Sequence, residues 1–248
     1  MSSAPSAPDP RDEALAHLRT QYQRLLQRLE TNELDFRRLG RSVWNVQEDE
    51  RRRIARELHD GLGQTLTALK HRLTRVLGDL PDDAAMSKAA LEAAVETCSE
   101  ALEDTRELSR LLRPPILDDL GLQAALQWLA RTIEQGTGMA VVLELGTLPA
   151  LGGELETLLF RVSQEALNNA SKHAQATSVL LQLVVRGDTL ELQVIDDGVG
   201  CDPEIALRGG SGLGGMRERL RLYGGSLHVR STVGHGMRLR ASVPLDVA

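Results

Sequence analysis

The sequence is poor in aromatic residues and in cysteine. Aromatic residues make up only 2% of it while hydrophobic residues make up 42%, so the core must be built mainly from leucine, valine and alanine. The two cysteines, Cys98 and Cys201, lie far apart and match neither a metal-ligand nor a disulfide pattern. A disulfide-stabilised or zinc-stabilised fold is therefore not expected.

Long apolar runs and an excess of basic charge are also missing. No run approaches the roughly 18 apolar residues of a membrane-spanning helix. The amino-terminal MSSAPSAPDP lacks the basic and apolar regions of a signal peptide. The formal charge of −6 gives no reason to expect direct binding to nucleic acid. These absences predict a cytoplasmic protein with no membrane span.

The first part of the chain predicts a long helix. Residues 1–10, rich in serine, alanine and proline, are expected to be disordered. From Leu15 to Val46 apolar residues recur alternately three and four positions apart, with one polar break at Asn32. A single amphipathic helix packed on its own domain could show this pattern, but its regularity favours a coiled-coil signalling helix over 11–46, in a parallel homodimer.

A second helical pattern contains an exposed histidine. Apolar residues recur every three or four positions from Ile54 to Leu73, which predicts a helix with one buried face. His59 lies about 100° from that face and points toward water, with Asp60 beside it. Gln64 is expected one turn beyond His59, on the same face. Such a histidine is either an ordinary surface residue or a reactive group.

Two glycines, Gly61 and Gly63, follow the histidine. Each costs a helix about 1 kcal/mol relative to alanine, so stability does not explain them, and an interrupted helix ending near Leu77 is expected. A second amphipathic helix should end before Pro114 and Pro115. Two copies of this hairpin, over 47–115, would close a dimeric four-helix bundle.

The rest of the chain, residues 118–248, mixes helix and strand patterns. We predict a two-layer α/β sandwich, and an α+β fold class for the whole chain. The predicted elements are helices at Leu122–Gln135, Gly153–His173 and Met216–Tyr223, and strands at Ala140–Leu145, Ser178–Val185, Thr189–Ile195, Ser226–Ser231 and Met237–Val243.

Three segments of this part carry polar residues or glycines that a fold alone does not require. On the long helix, Glu165, Asn169, Lys172 and His173 share or border one face, and they are expected to look into a cleft. The amide oxygen of Asn169 is a ligand type that Mg²⁺ accepts alongside phosphates. Lys172 and His173 could meet phosphate charge.

The second segment, Asp196-Asp197-Gly198-Val199-Gly200, follows a predicted strand directly. The Asp196 carboxylate can accept a hydrogen bond from an exocyclic amine such as that of adenine. Gly198 and Gly200 allow the chain to pass close to a flat ring. An ordinary Asp-Gly turn between two strands would have the same sequence.

The third segment is rich in glycine and precedes a short helix. Its backbone N–H groups could face phosphates near the helix amino terminus. It is neither a dinucleotide-binding fingerprint nor a P-loop, because the strand–turn–helix unit and the G-K-[ST] run are missing. The glycines concerned are Gly210, Gly212, Gly214 and Gly215.

Taken together, these motifs resemble a known family. The run E-x-x-R-I-A-R-E-L-H-D-x-x-x-Q is similar to the phosphoacceptor helix of sensor histidine kinases of the nitrate-sensor (NarL-partner) subfamily. The three later segments, in this order, resemble the N, G1 and G2 boxes of the Bergerat-type ATPase fold shared by gyrase, MutL and histidine kinases. The resemblance covers the His59 helix and roughly residues 118–248.

The resemblance implies an ATP-dependent protein-histidine kinase of a two-component system. His59 would take the γ-phosphate with Asp60 fixing its tautomer, Glu165 would be the acidic residue of the subfamily, and Asn169 would hold Mg²⁺. The phosphoryl group would pass to an aspartate of a response regulator with a helix-turn-helix output domain. Gln64 would orient water for the reverse dephosphorylation.

Two other classes compete with this interpretation. An anti-sigma-type protein-serine kinase resembles the same ATP fold but lacks a phosphoacceptor helix, and His59 with Asp60 argues against it. A non-catalytic dimeric scaffold could bind ATP and transfer nothing. The presence of His59, Asn169 and Asp196 argues against that class.

Overall fold

The computed structural model of the chain describes residues 10–81, 84–203 and 212–245. Its contacts divide the chain into two units, Met1–Val43 and Trp44–Ala248. Helices and strands follow in the order α1 Pro10–Glu57, a π-helical turn Leu58–Gly63, α2 Gln64–Asp79, α3 Ala85–Leu112, α4 Pro115–Thr137, β1 Ala140–Leu145, α5 Gly153–Lys172, β2 Ser178–Arg186, β3 Thr189–Asp196, α6 Leu213–Leu222, β4 Ser226–Ser231 and β5 Met237–Pro244.

Residues 10–43 of the first unit belong to the long helix α1. The apolar residues of its predicted seam are exposed in the single chain, as a surface awaiting a second helix would be. They include Leu18, Tyr22, Leu25, Leu29, Phe36, Leu39 and Val43. The disorder predicted for residues 1–10 falls almost wholly outside the described residues, of which Pro10 is the first. Among the described residues, no helix is both long and apolar enough to cross a membrane.

The interruption predicted beside His59 is a π-helical turn, Leu58–Gly63, and the helix continues on both sides of it. In an α-helix a residue five positions on lies about 140° around the axis, so Gln64 would not share the face of His59. A π turn bonds residues five apart and so holds about one residue more, which brings Gln64 back toward that face. The expected position of Gln64 therefore depends on this turn.

Helices α2 and α3 form the predicted hairpin. Leu102 of α3 is buried, and Cys98 donates from Sγ to the Leu66 carbonyl oxygen at 3.3 Å. Farther along, the Ser109 hydroxyl donates to the Ala55 carbonyl oxygen at 2.8 Å. Other apolar side chains of the hairpin stay about half exposed, as expected of a bundle that needs a second copy. They are Leu62, Leu69, Val76, Leu108 and Leu111.

The junction to the second domain differs from the prediction. The helix expected to begin at Leu122 begins at Pro115, because proline is well suited to the first helical position. It runs across Gly121, whose positive φ of 77° breaks the helical geometry. The short helix expected at Met216 likewise begins earlier, at Leu213.

The second domain is built on a five-stranded sheet in the order β1-β2-β3-β5-β4. Strands β1 and β2 are parallel and the other neighbours are antiparallel. Alternate residues of β2, β3 and β5 are buried against the helical layer, while the residues between them face outward. The predicted α+β fold with a two-layer sandwich is confirmed.

Candidate active site

A cavity of about 320 Å³ opens between α5 and the carboxyl end of β3. Polar groups and glycines from all three predicted segments line it together with an apolar floor. The lining residues are Glu165, Ala166, Asn169, Ala170, His173, Ala174, Val194, Asp196, Gly200, Cys201, Gly212, Leu213, Met237 and Leu239. The fold thus brings together segments that are up to about 70 residues apart in the sequence.

Asp196 lies in this cavity at the end of β3, and its carboxylate is held in one orientation. Its Oδ1 accepts a hydrogen bond from the Gly198 amide at 3.0 Å and one from the Met237 amide at 3.3 Å. Asp196 and Met237 are directly opposite in the β3–β5 register. Strand pairing therefore fixes the orientation of the Asp196 carboxylate, which the sequence predicts to accept a hydrogen bond from adenine.

Gly200 shows why this loop requires glycine. Its φ is +65°, and a Cβ there would overlap the Thr232 carbonyl oxygen. A side chain at position 200 would therefore strain the backbone and push the neighbouring hairpin away. Gly198 is buried, and its contribution to the cavity is the hydrogen bond that orients Asp196.

Glu165 and Asn169 lie one turn apart on α5 and face the start of α6. A Cβ built on Gly212 would lie 2.9 Å from Glu165 Oε1 and 3.3 Å from Asn169 Nδ2. Gly212, directly before α6, therefore lies close against these two side chains. A carboxylate and an amide oxygen on one helix face, beside a glycine loop, fit a Mg²⁺ ion that also takes phosphate ligands.

Several predicted residues do not line the cavity. Lys172 is exposed and is not among the described residues that line the cavity, so its contact with phosphate stays a prediction. Gly214 and Gly215 lie in the first turn of α6, behind the lining. Gly210 lies outside the described residues.

Arg219 was not predicted from the sequence. It is half buried on α6 and donates from Nε to the Gly215 carbonyl oxygen at 3.0 Å. Burial lowers the pKa of Arg219, while the charge of Glu165 opposes that shift. Arg219 therefore places a cation near Glu165, the acidic residue of the cavity. The only sequence signal for it was its position one turn after Gly215.

His59 occupies a second site, on the helical hairpin. Its side chain is 64% exposed, and its Nδ1 lies 3.0 Å from Asp60 Oδ1. With Asp60 accepting from Nδ1–H, the lone pair of Nε2 is free to act as a nucleophile. A groove of about 400 Å³ runs beside it, lined by His59, Gly63, Gln64, Thr67, Ala68, His71, Leu102, Thr105 and Arg106.

A buried ion pair connects the end of α1 to α5, and no pattern in the sequence predicts it. Arg161 donates from Nη2 to Glu48 Oε2 at 2.7 Å and to the Leu112 carbonyl oxygen at 2.6 Å. Both charged side chains are less than 10% exposed. Arg113 bridges toward the same glutamate and forms a closer pair with Asp118 at 2.8 Å.

An aromatic contact lies beside this ion pair. Trp44 meets the ring of Tyr223 edge-on, with the ring centroids 5.6 Å apart. The Tyr223 hydroxyl donates toward Glu154 Oε2 at 3.1 Å, and Asn45 Nδ2 donates to Glu154 Oε1 at 2.7 Å. Residues 44–48 of α1 are therefore packed on the second domain by both apolar and charged contacts.

Asp197 fastens the loop after β3 to the start of β2. Its carboxylate accepts hydrogen bonds from the Thr177 hydroxyl at 2.6 Å, the Thr177 amide at 2.8 Å and the Ser178 amide at 3.0 Å. The hydrogen bond from the Thr177 side chain, with those from the backbone, lowers the pKa of Asp197. This second aspartate of the motif is therefore structural, whereas Asp196 faces the cavity.

We expect Asp197→Asn to destabilise the fold at pH 7 and much less at low pH. The lowered pKa means that the carboxylate stabilises the folded state above the unfolded pKa, about 3.9, and loses this effect as the pH falls through the folded pKa. Urea unfolding midpoints of both proteins at pH 7 and near pH 3 measure the difference. Asp119→Asn, at an exposed site, is the control. A loss for Asp197→Asn that is equal at both pH values would contradict the prediction.

Comparisons with known proteins match the two parts of the chain that contain these sites. A family model described as histidine kinase matches residues 50–117, and one described as histidine kinase-, DNA gyrase B- and HSP90-like ATPase matches residues 154–247. The two ranges together span more than half of the chain and contain the His59 groove and the cavity, respectively. The chain belongs to the sensor histidine kinases of the NarL-partner type. The resemblance seen in the sequence is confirmed.

Two relatives extend this kinase comparison over most of the chain. The sensor histidine kinase MctS of Rhizobium johnstonii is 36% identical over 213 residues, which cover 83% of this chain and 45% of the relative. The signal transduction histidine-protein kinase/phosphatase UhpB of Salmonella typhimurium is 38% identical over 210 residues, covering 84% and 41%. The chain thus spans less than half the length of these relatives.

A solved structure is also similar to this kinase chain. It is the histidine kinase domain of a blue-light activated histidine kinase from Erythrobacter litoralis. The identity is 23% and the TM-score is 0.48, over 73% of this chain and 94% of the other.

Proposed function

We propose that this chain is the kinase core of a two-component system, which phosphorylates itself on His59 and passes the phosphoryl group to an aspartate of a response regulator. The observation that carries the proposal is the exposed His59, whose Nδ1 lies 3.0 Å from Asp60 within the part matched by the histidine kinase model. An exposed imidazole with one nitrogen engaged is a competent phosphoryl acceptor.

In the proposed reaction, His59 Nε2 attacks the γ-phosphorus of ATP. The new N–P bond forms as the bond from phosphorus to the β,γ-bridging oxygen breaks, and ADP leaves. Positive charge develops on the imidazole, and the Asp60 carboxylate at Nδ1 stabilises it. Phosphoryl transfer of this kind depends on alignment and charge neutralisation more than on covalent chemistry by the protein.

The cavity beneath α5 is the proposed ATP site. Asp196, oriented by two amides, would accept the adenine amino group, and the loop at Gly200 would lie against the ring. His173 and the amides around Gly212 would face the phosphates. Asn169, with Glu165 beside it, would hold Mg²⁺, which neutralises phosphate charge when bound.

The domains and partners follow from the same proposal. Residues 11–46 would act as a coiled-coil signalling helix, 47–115 as the dimerisation and phosphotransfer domain, and 118–248 as the catalytic domain. The half-exposed apolar residues of the hairpin favour a homodimer through a four-helix bundle. The response regulator is proposed to carry a helix-turn-helix output domain, and the reaction to take place in the cytoplasm, where ATP is supplied.

The test of the proposal is incubation of the purified chain with γ-labelled ATP and Mg²⁺, followed by acid and base treatment. Label that is lost in acid and kept in base identifies phosphohistidine, which we expect. Acid-stable label would instead indicate a serine or threonine acceptor, as in an anti-sigma-type kinase. Absence of label in a chain that still binds ATP would indicate a scaffold.

We expect Gln64→Ala to slow dephosphorylation of the response regulator by at least about tenfold while leaving His59 labelling intact. Gln64 lines the groove beside His59, where its amide could orient a water toward the phospho-aspartate. Decay of labelled regulator with each variant measures the effect. Gln127→Ala, on an exposed face of α4, is the control, and equal decay rates for both variants would contradict this role.

A further inference from the structure

The outward face of strands β4 and β5 carries a cluster of cations, which we call the basic face. Arg230 lies directly opposite Arg238, and His228 lies directly opposite Arg240. These four side chains, with Ser242, line a concave surface of about 330 Å³. Like charges placed directly opposite destabilise a pair of strands, so pairing alone does not explain the arrangement.

The basic face has no counter-charge within the described part of the chain. Arg230, Arg238 and Arg240 form no ion pair there, and Glu191 on neighbouring β3 pairs with Arg186 instead, at 3.1 Å. Cations on an edge strand can prevent edge-to-edge association, which would account for those on β4. This does not account for Arg238 and Arg240, because β5 lies between β3 and β4.

A complementary feature lies on α3, which we call the acidic ridge. Glu92, Glu96, Glu100 and Asp104 follow one another at intervals of four residues and are all exposed. Like charges at this spacing repel along a helix. None of the four forms an ion pair within the described part of the chain. The buried side of α3, at Cys98, Leu102, Thr105 and Ser109, faces the other way.

We propose that the basic face binds the acidic ridge of a second copy of this chain. Carboxylates four residues apart on a helix are separated by about 6 Å along its axis. Residues 238 and 240, two apart on a strand, are separated by about 6.8 Å. Two successive carboxylates of the ridge can therefore meet Arg238 and Arg240 together. Each contact would be charge-assisted, and each would relieve repulsion on both surfaces.

This contact is independent of the nucleotide site and of the phosphoacceptor groove, since none of its residues lines either one. Both surfaces are exposed, so the attraction between them is screened by salt within about 8 Å at physiological ionic strength. The proposal therefore requires an association that weakens steeply with salt. The total charge of −6 shows that the basic face is a local feature and not a consequence of composition.

The test is a disulfide between two distinguishable copies. One copy carries Glu100→Cys, the other carries Arg240→Cys and a size tag, and the two are co-expressed and mildly oxidised. We expect the yield of mixed disulfide to be at least fivefold higher than when Arg186→Cys replaces Arg240→Cys as the control. The yield should fall at least fivefold at about 0.5 M salt. A mixed band no stronger than this control, or one insensitive to salt, would overturn the proposal.

A charge exchange provides the second measurement. The reporter is the cross-link between Glu92→Cys and Arg230→Cys. Reversing the ridge charges with Glu96→Lys and Glu100→Lys should abolish it. Reversing the charges of the basic face with Arg238→Glu and Arg240→Glu should abolish it as well. Combining both reversals should restore it to within twofold, since opposite charges would again face each other. Failure of the combination to restore the cross-link would refute the pairing. Label on His59 in each variant shows that the chain is folded, and its loss in all variants would concern the proposed kinase activity instead.

Discussion

Replacement of His59 by glutamine should reduce labelling by γ-labelled ATP to background. Glutamine keeps a polar side chain on an exposed face of the helix, so the fold and the ATP cavity should be unaffected. It has no imidazole nitrogen with a nucleophilic lone pair, so no phosphoramidate can form. The measurement is the initial rate of label incorporation together with ATP affinity, which should stay within twofold of the unaltered chain.

A matched control is available in the same groove. His71 also lines it, and His71→Gln should leave the labelling rate unchanged if His59 is the acceptor. Asp60→Asn should lower the rate by about a hundredfold without abolishing it, because the acceptor remains while the stabilising charge at Nδ1 is lost. If the His59→Gln chain kept its label and the His71→Gln chain lost it, His71 would be the phosphorylated residue.

Replacement of Glu48 by alanine should lower the free energy of unfolding by about 3–5 kcal/mol. The reason is the buried Arg161, which would keep its charge but lose the carboxylate that it contacts through Nε and Nη2. Desolvation already lowers the pKa of Arg161, and the hydrogen bonds that Arg161 donates to Glu48 oppose that shift. Urea unfolding followed by tryptophan fluorescence measures the loss, since Trp44 is buried one turn away.

Two variants separate this effect from a general loss of charge on α1. Among the described residues Glu50 pairs with the exposed Arg53 alone, so Glu50→Ala should change stability little. The double replacement Glu48→Leu with Arg161→Met removes both charges and should recover most of the loss, because no unpaired charge stays buried. A Glu48→Ala variant as stable as Glu50→Ala would show that the pair contributes nothing.

Several structural features could be read directly from the sequence. Strand β4 and helix α5 were predicted to within one residue, because alternation over two residues and recurrence over three or four are strong signals. The exposure of His59 followed from its angle to the apolar face. The turn at position 200 followed from the glycine there, which adopts the observed φ of +65° without strain.

Other features required contacts between distant residues. Nothing near Arg161 in the sequence marks it as buried, and its partner Glu48 lies 113 residues away. The same holds for the amide of Met237, which orients Asp196 only because β3 and β5 pair in register. Lys172 is exposed and outside the described lining of the cavity, because a helix face that borders a cleft also includes exposed positions, and only packing decides which side chains face inward.

The sequence by itself determined which segments form helices and strands, which histidine is exposed, and which motifs carry the residues of the proposed ATP site, because these depend on local spacing and residue type. The tertiary structure alone decided the buried pair of Glu48 and Arg161 and the placement of Arg219 near Glu165. Those features depend on long-range packing and desolvation, which are properties of the folded chain and leave no periodic signal along it.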